Sequence, residues 1–241
     1  MEILVGVETE HIYLEDLELL KGVIDEHRKA GKLDFVVGSV HHADGHPIDF
    51  SKETFEIALQ SYEARVKASS RASGEEGWNE EKLRHAAISM LLESYFLAQR
   101  RMMEALHPEV IGHFSLPLLF TPSTLISSHP KAHSLSLDNI RYAVSYGALF
   151  EISSATFRKG LEYAWPGDEV MRMVQNEGGL WCLSDDAHNT GQIGLNYGRL
   201  KEWAQTLGIE EGSVRALRRF QDGTLERCPC EGLWQDKFWH Q

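Results

Sequence analysis

Glu8, His41, His113, Asp186 and His188 are residue types that bind divalent metals, and all of them stand where a short apolar run stops. ILVGVE ends on Glu8, FVVGSVHH on His41 and His42, VIGHF carries His113 at its close, and LWCLSDDAH delivers Asp185, Asp186 and His188. Imidazole and carboxylate with no thiolate among them suit Zn²⁺, Mn²⁺ or Fe²⁺. A Glu can bridge two ions, and ions roughly 3.5–4 Å apart can hold a hydroxide for in-line attack on phosphorus while stabilising the leaving oxygen. The chemistry implied is metal-assisted hydrolysis of a phosphate ester. Arg158 and Lys159, in FRKG, could hold phosphate oxygens, Arg by its fork and Lys as a point charge; spacing alone equally allows a solvated basic pair.

A plainer reading applies to most of the 12 His. His27, His85 and His107 fall in polar helical stretches and His129, His133 and His240 in loops or the tail, where a solvated imidazole is readily kept. The strand ends differ, because a charged or imidazole group placed after a buried strand must be hydrated, paired or metal-bound.

The elements needed to gather these residues can be read from the pattern. Short β-prone runs bounded by Gly and polar clusters predict buried strands ending near Glu8, Val40, Phe114, Ile152 and Leu183. Between them, apolar residues recur at helical spacing over about 14–30, from Ser51, over 80–106, 136–146, 166–176, 196–207 and 213–220. The stretch 115–136, with Pro117, Pro122 and Pro130, has little periodicity and reads as a lid or substrate loop. Strand and helix in alternation predict βαβ units and a largely parallel sheet, whose carboxyl ends form one rim. One domain over 1–241 is expected, with no internal repeat.

Composition narrows the function classes. The chain has 241 residues, 42% hydrophobic, and a formal net charge of −12. That balance disfavours a protein that grips a nucleic-acid backbone, which needs a basic footprint, while a small anionic substrate remains open. Three Cys (Cys182, Cys228, Cys230) give no disulfide framework and suggest a reducing compartment, the cytoplasm. No signal peptide or membrane-length apolar run is evident, so no membrane partner is expected.

VGVETEH (5–11), DFVVGSVHHADGHPIDF (34–50), PEVIGHF (108–114), YGALFEISSATFRKG (146–160) and GGLWCLSDDAHNTGQIGLNYGRL (178–200) together resemble the histidinol-phosphate phosphatases of the polymerase-and-histidinol-phosphatase (PHP) superfamily, fungal type. The resemblance implies a distorted (β/α)₇ barrel whose strand ends hold up to three divalent metals (Zn, Mn or Fe). The implied reaction is hydrolysis of L-histidinol phosphate to L-histidinol and phosphate in histidine biosynthesis. Carried over by position, Glu8, His41, His113, Asp186 and His188 match metal ligands. Glu8, Asp186 and His188 are the catalytic candidates, and Arg158, with Lys159 beside it, matches the substrate phosphate site. His42 and Asp185 are candidates for supporting the ligands.

Two departures accompany the match. The family's opening His-x-His motif does not occur in this sequence, and Ser115 stands where the family usually has Asp after GHF. The chain starts at what would be the third strand, so the expected barrel lacks its first two βα units. On this reading Glu8, His41 and His113 form most of one metal site, and the sites that draw on the missing segment are impaired. Two alternatives follow: a catalytically inactive remnant that binds metal or a partner, and a PHP-type nuclease or phosphoesterase of other substrate.

Overall fold

The computed structural model describes residues 3–74, 77–236 and 239. Its frame is a sheet of five parallel strands: β1 (Gly6–Glu8), β2 (Phe35–Gly38), β5 (Val110–Ile111), β6 (Leu149–Ser153) and β7 (Leu180–Ser184), hydrogen-bonded in that order. Sequential strands lie side by side, so each connection runs to the next neighbour and all carboxyl ends face one way. The inner strand β6, LFEIS, between β5 and β7, is buried at every position, as a strand covered on both faces must be.

Helices carry the chain back between strands: α1 (Leu14–Lys29), α2 (Lys52–Ser73), α3 (Glu80–Leu106), α4 (Pro130–Ser145), α5 (Ala155–Arg158), α6 (Asp168–Asn176) and α7 (Tyr197–Thr206). The long α3 starts where the Asn79 side chain accepts the Lys82 N–H (2.8 Å) and stops at His107, whose left-handed backbone (φ 44°) returns its N–H to Met103 O. Its stripe of Leu83, Ala87, Leu91, Tyr95, Met102 and Leu106 is buried. β2 approaches α3 so closely that a Cβ at Gly38 would lie 2.8 Å from Met102 Sδ of the helix, and 2.4 Å from Pro108 Cγ just beyond its end. Glu109 ties three elements together, accepting from Arg28 at the end of α1 (2.7 and 2.8 Å) and from the Val36 N–H of β2 (2.8 Å).

The structure corrects four boundaries. The expected helix over 213–220 is a strand, β8 (Arg215–Arg219), antiparallel to β9 (Leu225–Pro229). RALRR has no β-branched residue, so its local preference is helical; cross-strand pairing and a bridge between Val214 and Trp181 of β7 override it. The expected helix from Ser136 begins at Pro130, because Pro is tolerated at the first helical position. The remainder of 115–136 contains two 3₁₀ turns, Leu116–Leu118 and Ile126–Ser128, so it is more ordered than a bare loop. The helix expected from Pro166 begins at Asp168. A small hairpin of β3 (His42–Ala43) and β4 (His46–Pro47) was not anticipated.

The β8–β9 hairpin lies over the face of the sheet opposite α3. Phe35, Val37 and Cys182 from the strands and Val214 and Leu217 from the hairpin line a cavity of about 670 Å³. An Arg219–Asp34 ion pair joins the hairpin to the segment before β2. All three cysteines are free. Among the described residues no helix is long and apolar enough to cross a membrane.

Candidate metal centre

Three of the strand-end residues converge. Glu8 closes β1, His41 lies three residues beyond β2 and His113 two beyond β5, and one donor atom from each falls within 4.8 Å of the other two. Glu8 Oε1 is 3.0 Å from His113 Nε2 and 3.3 Å from His41 Nε2, and the two imidazole rings are 4.9 Å apart. Among the described residues this is the one such cluster of three or more His, Cys, Asp or Glu donors. A carboxylate and two imidazoles sharing one focus are a fit donor set for Zn²⁺, Mn²⁺ or Fe²⁺.

Local backbone geometry brings them together. Gly112 lets the end of β5 press against β2, since a Cβ there would sit 2.6 Å from Ser39 Oγ and 3.0 Å from Val37 Cγ1. The next residue, His113, has a left-handed backbone (φ 22°), unfavourable for a side chain with a Cβ. It is held there by Glu151, a buried carboxylate on β6 whose Oε2 accepts the His113 N–H at 2.7 Å. Trp165 packs against the His113 ring, with centroids 5.7 Å apart. Ser115, the departure after GHF, is buried and donates to Pro166 O (2.7 Å), bracing this turn against the Trp165 segment.

Asp186 and His188 line the same cleft, about 100 Å³ in volume, together with Lys159 and Asp49. They stand apart from the three-residue focus. Asp186 also has a left-handed backbone (φ 48°), and His188 Nδ1 is 2.8 Å from the Asp186 carbonyl, leaving the ring largely exposed. Arg158 is engaged by the backbone: its guanidinium donates to the carbonyls of Asp185 and Asp186 (2.8 Å to the latter). Lys159, its neighbour, presents its ammonium to the cleft over the Trp165 ring (4.9 Å). Asp185 turns to its own loop, accepting from Gly194 N (2.5 Å) and Ala187 N (3.2 Å).

Electrostatics at the focus follow from these contacts. Partial burial pushes the Glu8 carboxyl up, but hydrogen bonds from His113 and His41 outweigh it and hold Glu8 well below the usual carboxylate range. His41 shows the converse: burial lowers its pKa, yet Glu10 and Glu8 raise it to about 10. Asp186 is shifted up, mainly by burial and with help from the Glu8 charge, against the pull of His188 and His113. Burial also raises Glu151.

Sequence reasoning passed over Glu10, Asp49, Glu151 and Trp165. Glu10 had a signal, since it follows Glu8 by two residues in ETEH and so emerges on the same side of an extended chain. Glu151 had one too: a lone carboxylate inside the apolar run ALFEIS must find partners when buried.

No family model matches the chain. Over 240 residues it is 38% identical to the "Probable histidinol-phosphatase" of Schizosaccharomyces pombe, covering 97% of this chain and 69% of that protein. It is 28% identical over 264 residues to the histidinol-phosphatase of Saccharomyces cerevisiae, covering 98% and 71% of the two. The crystal structure of hisK from Listeria monocytogenes, whose histidinol phosphatase designation is provisional, superposes with a TM-score of 0.56. That match has 16% identity and covers 80% of this chain and 66% of the other, so it speaks for the fold alone. The identity to the Schizosaccharomyces pombe protein, sustained over nearly the whole chain, shows that this chain belongs to the histidinol-phosphatase family.

Proposed function

We propose that the chain is a metal-dependent phosphomonoesterase that hydrolyses L-histidinol phosphate to L-histidinol and phosphate, on a PHP-type barrel forming a single domain. The observation that carries this reading is the convergence of Glu8, His41 and His113 on one focus in a cleft that Lys159, Asp186 and His188 also line. The names of the two fungal relatives supply the substrate. Five parallel strands with their carboxyl ends on one rim support the barrel, which further strands between β7 and β1 would close. Three free cysteines suit a cytoplasmic setting. Neither an inactive remnant nor a nuclease is favoured by these relatives.

Glu8, His41 and His113 would hold a divalent ion, with Asp186 and His188 placed to hold further ions at the same rim. Such an ion supplies Lewis acidity and a nucleophilic water at neutral pH. The chain's own contribution is positional. Lys159 offers a cation to phosphate oxygens, and the Trp165 face beneath it limits where the ammonium can go. Arg158 acts on the site through the backbone, fixing the carbonyls on either side of the Asp186 Cα and so the direction of the Asp186 side chain.

Phosphate release from L-histidinol phosphate by chelator-treated protein tests the reading. Turnover is expected on addition of Mn²⁺ or Zn²⁺ and none without metal. Metal-independent turnover, or none with either metal, contradicts it.

A further inference from the structure

We propose that Glu10 is a positioning residue of the metal centre, its carboxylate orienting the His41 ring through Nδ1 and anchored in turn by His42. Glu10 Oε2 lies 3.1 Å from His41 Nδ1, and Oε1 lies 3.1 Å from His42 Nδ1. Oε1 also accepts the N–H of His11 at 3.0 Å, which fixes the carboxylate to its own backbone. An ionised carboxylate can only accept, so each Nδ1 must be the donor. A ring that donates from Nδ1 leaves Nε2 as its ligating atom, and for His41 that atom is the one facing Glu8 Oε1 at 3.3 Å. One side chain therefore sets both the tautomer and the rotation of the His41 ring.

His113 needs no such partner and has none. Its Nδ1 is buried without a hydrogen bond among the described residues. Its direction comes from the backbone, through the bond of its N–H to Glu151, and from the Trp165 ring. The two imidazoles are thus oriented by different means, one by a carboxylate on the ring and one by a carboxylate on the main chain. Glu10 itself lies outside the three-donor focus, and both its oxygens are occupied by donors, so it acts on the ion through His41. Carboxylates that hold the second nitrogen of a ligating His typically change metal affinity by about 10–100-fold when removed.

This inference rests on Glu8, His41 and His113 being the metal centre, and the experiment separates the two. Metal-free wild-type, Glu10→Ala, Glu10→Gln and His113→Ala proteins are titrated with Co²⁺, following the visible ligand-field band. Glu10→Ala is expected to bind about 10–100-fold more weakly, with an altered band, because the His41 ring is free to rotate. Glu10→Gln keeps one acceptor oxygen, so a smaller loss is expected, and this variant decides the matter if the alanine variant does not fold. Wild-type affinity and band in the folded Glu10 variants, with binding lost in His113→Ala, would overturn the positioning role alone. Undiminished Co²⁺ binding by His113→Ala would overturn the metal centre and the role of Glu10 with it.

Discussion

Glu8 and His41 face each other as carboxylate and imidazolium when no ion stands between them. The raised pKa of His41, about 10, means that a metal ion entering at neutral pH must displace a proton from it. The sign follows directly. Below about pH 10 protons compete with the ion at His41, so metal affinity should strengthen as pH rises through the neutral range toward that value. Calorimetric titration with Mn²⁺ at pH 7.5, in two buffers of different ionisation enthalpy, should show release of about one proton per ion bound. A heat independent of the buffer would contradict it. The same shift also affects the metal-free fold. Because the folded pKa lies above the ordinary imidazole value of 6.5, the contribution of His41 is full below about pH 6.5 and is lost as pH climbs through 10.

At the scale of elements, the site depends on two strained turns and the residues that hold them. Gly112 is the hinge of one: Gly112→Val has no room against Ser39 and Val37. It should cost about 1–3 kcal/mol in denaturant melts and should weaken metal binding by moving His113 away from His41. Retained affinity alongside lost stability would mean that the ends of β2 and β5 can separate without disturbing the ligands. Arg158 holds the other turn. Arg158→Met removes both donors to the Asp185 and Asp186 carbonyls, and kcat should fall roughly tenfold or more while affinity for the first metal ion stays near wild type. A rise in KM with kcat unchanged would instead favour a direct grip of Arg158 on the substrate phosphate.

These turns also mark where the sequence was and was not legible. Glu8, His41 and His113 could be picked out because each follows an apolar run, and in a parallel sheet that alone places them on one rim. The division of labour between Arg158 and Lys159 could not be read, since adjacent residues diverge and only the fold shows which one meets backbone carbonyls. Glu10 was obscured by its neighbours, because a glutamate beside a histidine on an acidic chain reads as surface. The strand over 215–219 was hidden for a different reason. RALRR favours a helix locally, and its partner strand and the Trp181–Val214 bridge are set by tertiary contacts.

Over the whole molecule, the alternation of strand and helix was enough to give a parallel sheet in sequential order. The fraction of buried apolar residues was enough to build its core. The acidic balance matters at this scale as well. With a net charge of −12, Glu8, Asp49 and Asp186 lining the cleft and Glu10 beside it on His41, the protein's field draws divalent cations toward the cleft. Metal affinity should therefore fall as salt is raised from about 0.05 to 0.5 M, as the Debye length contracts below about 10 Å. Salt-independent affinity would show that the ion senses only its immediate ligands. Whether Glu8, His41 and His113 jointly hold a divalent ion is decided by bound metal per chain, measured by elemental mass spectrometry after loading with Mn²⁺ and desalting. The wild-type protein should retain metal and a folded His113→Ala variant should lose it; equal metal content in the two would contradict the shared site.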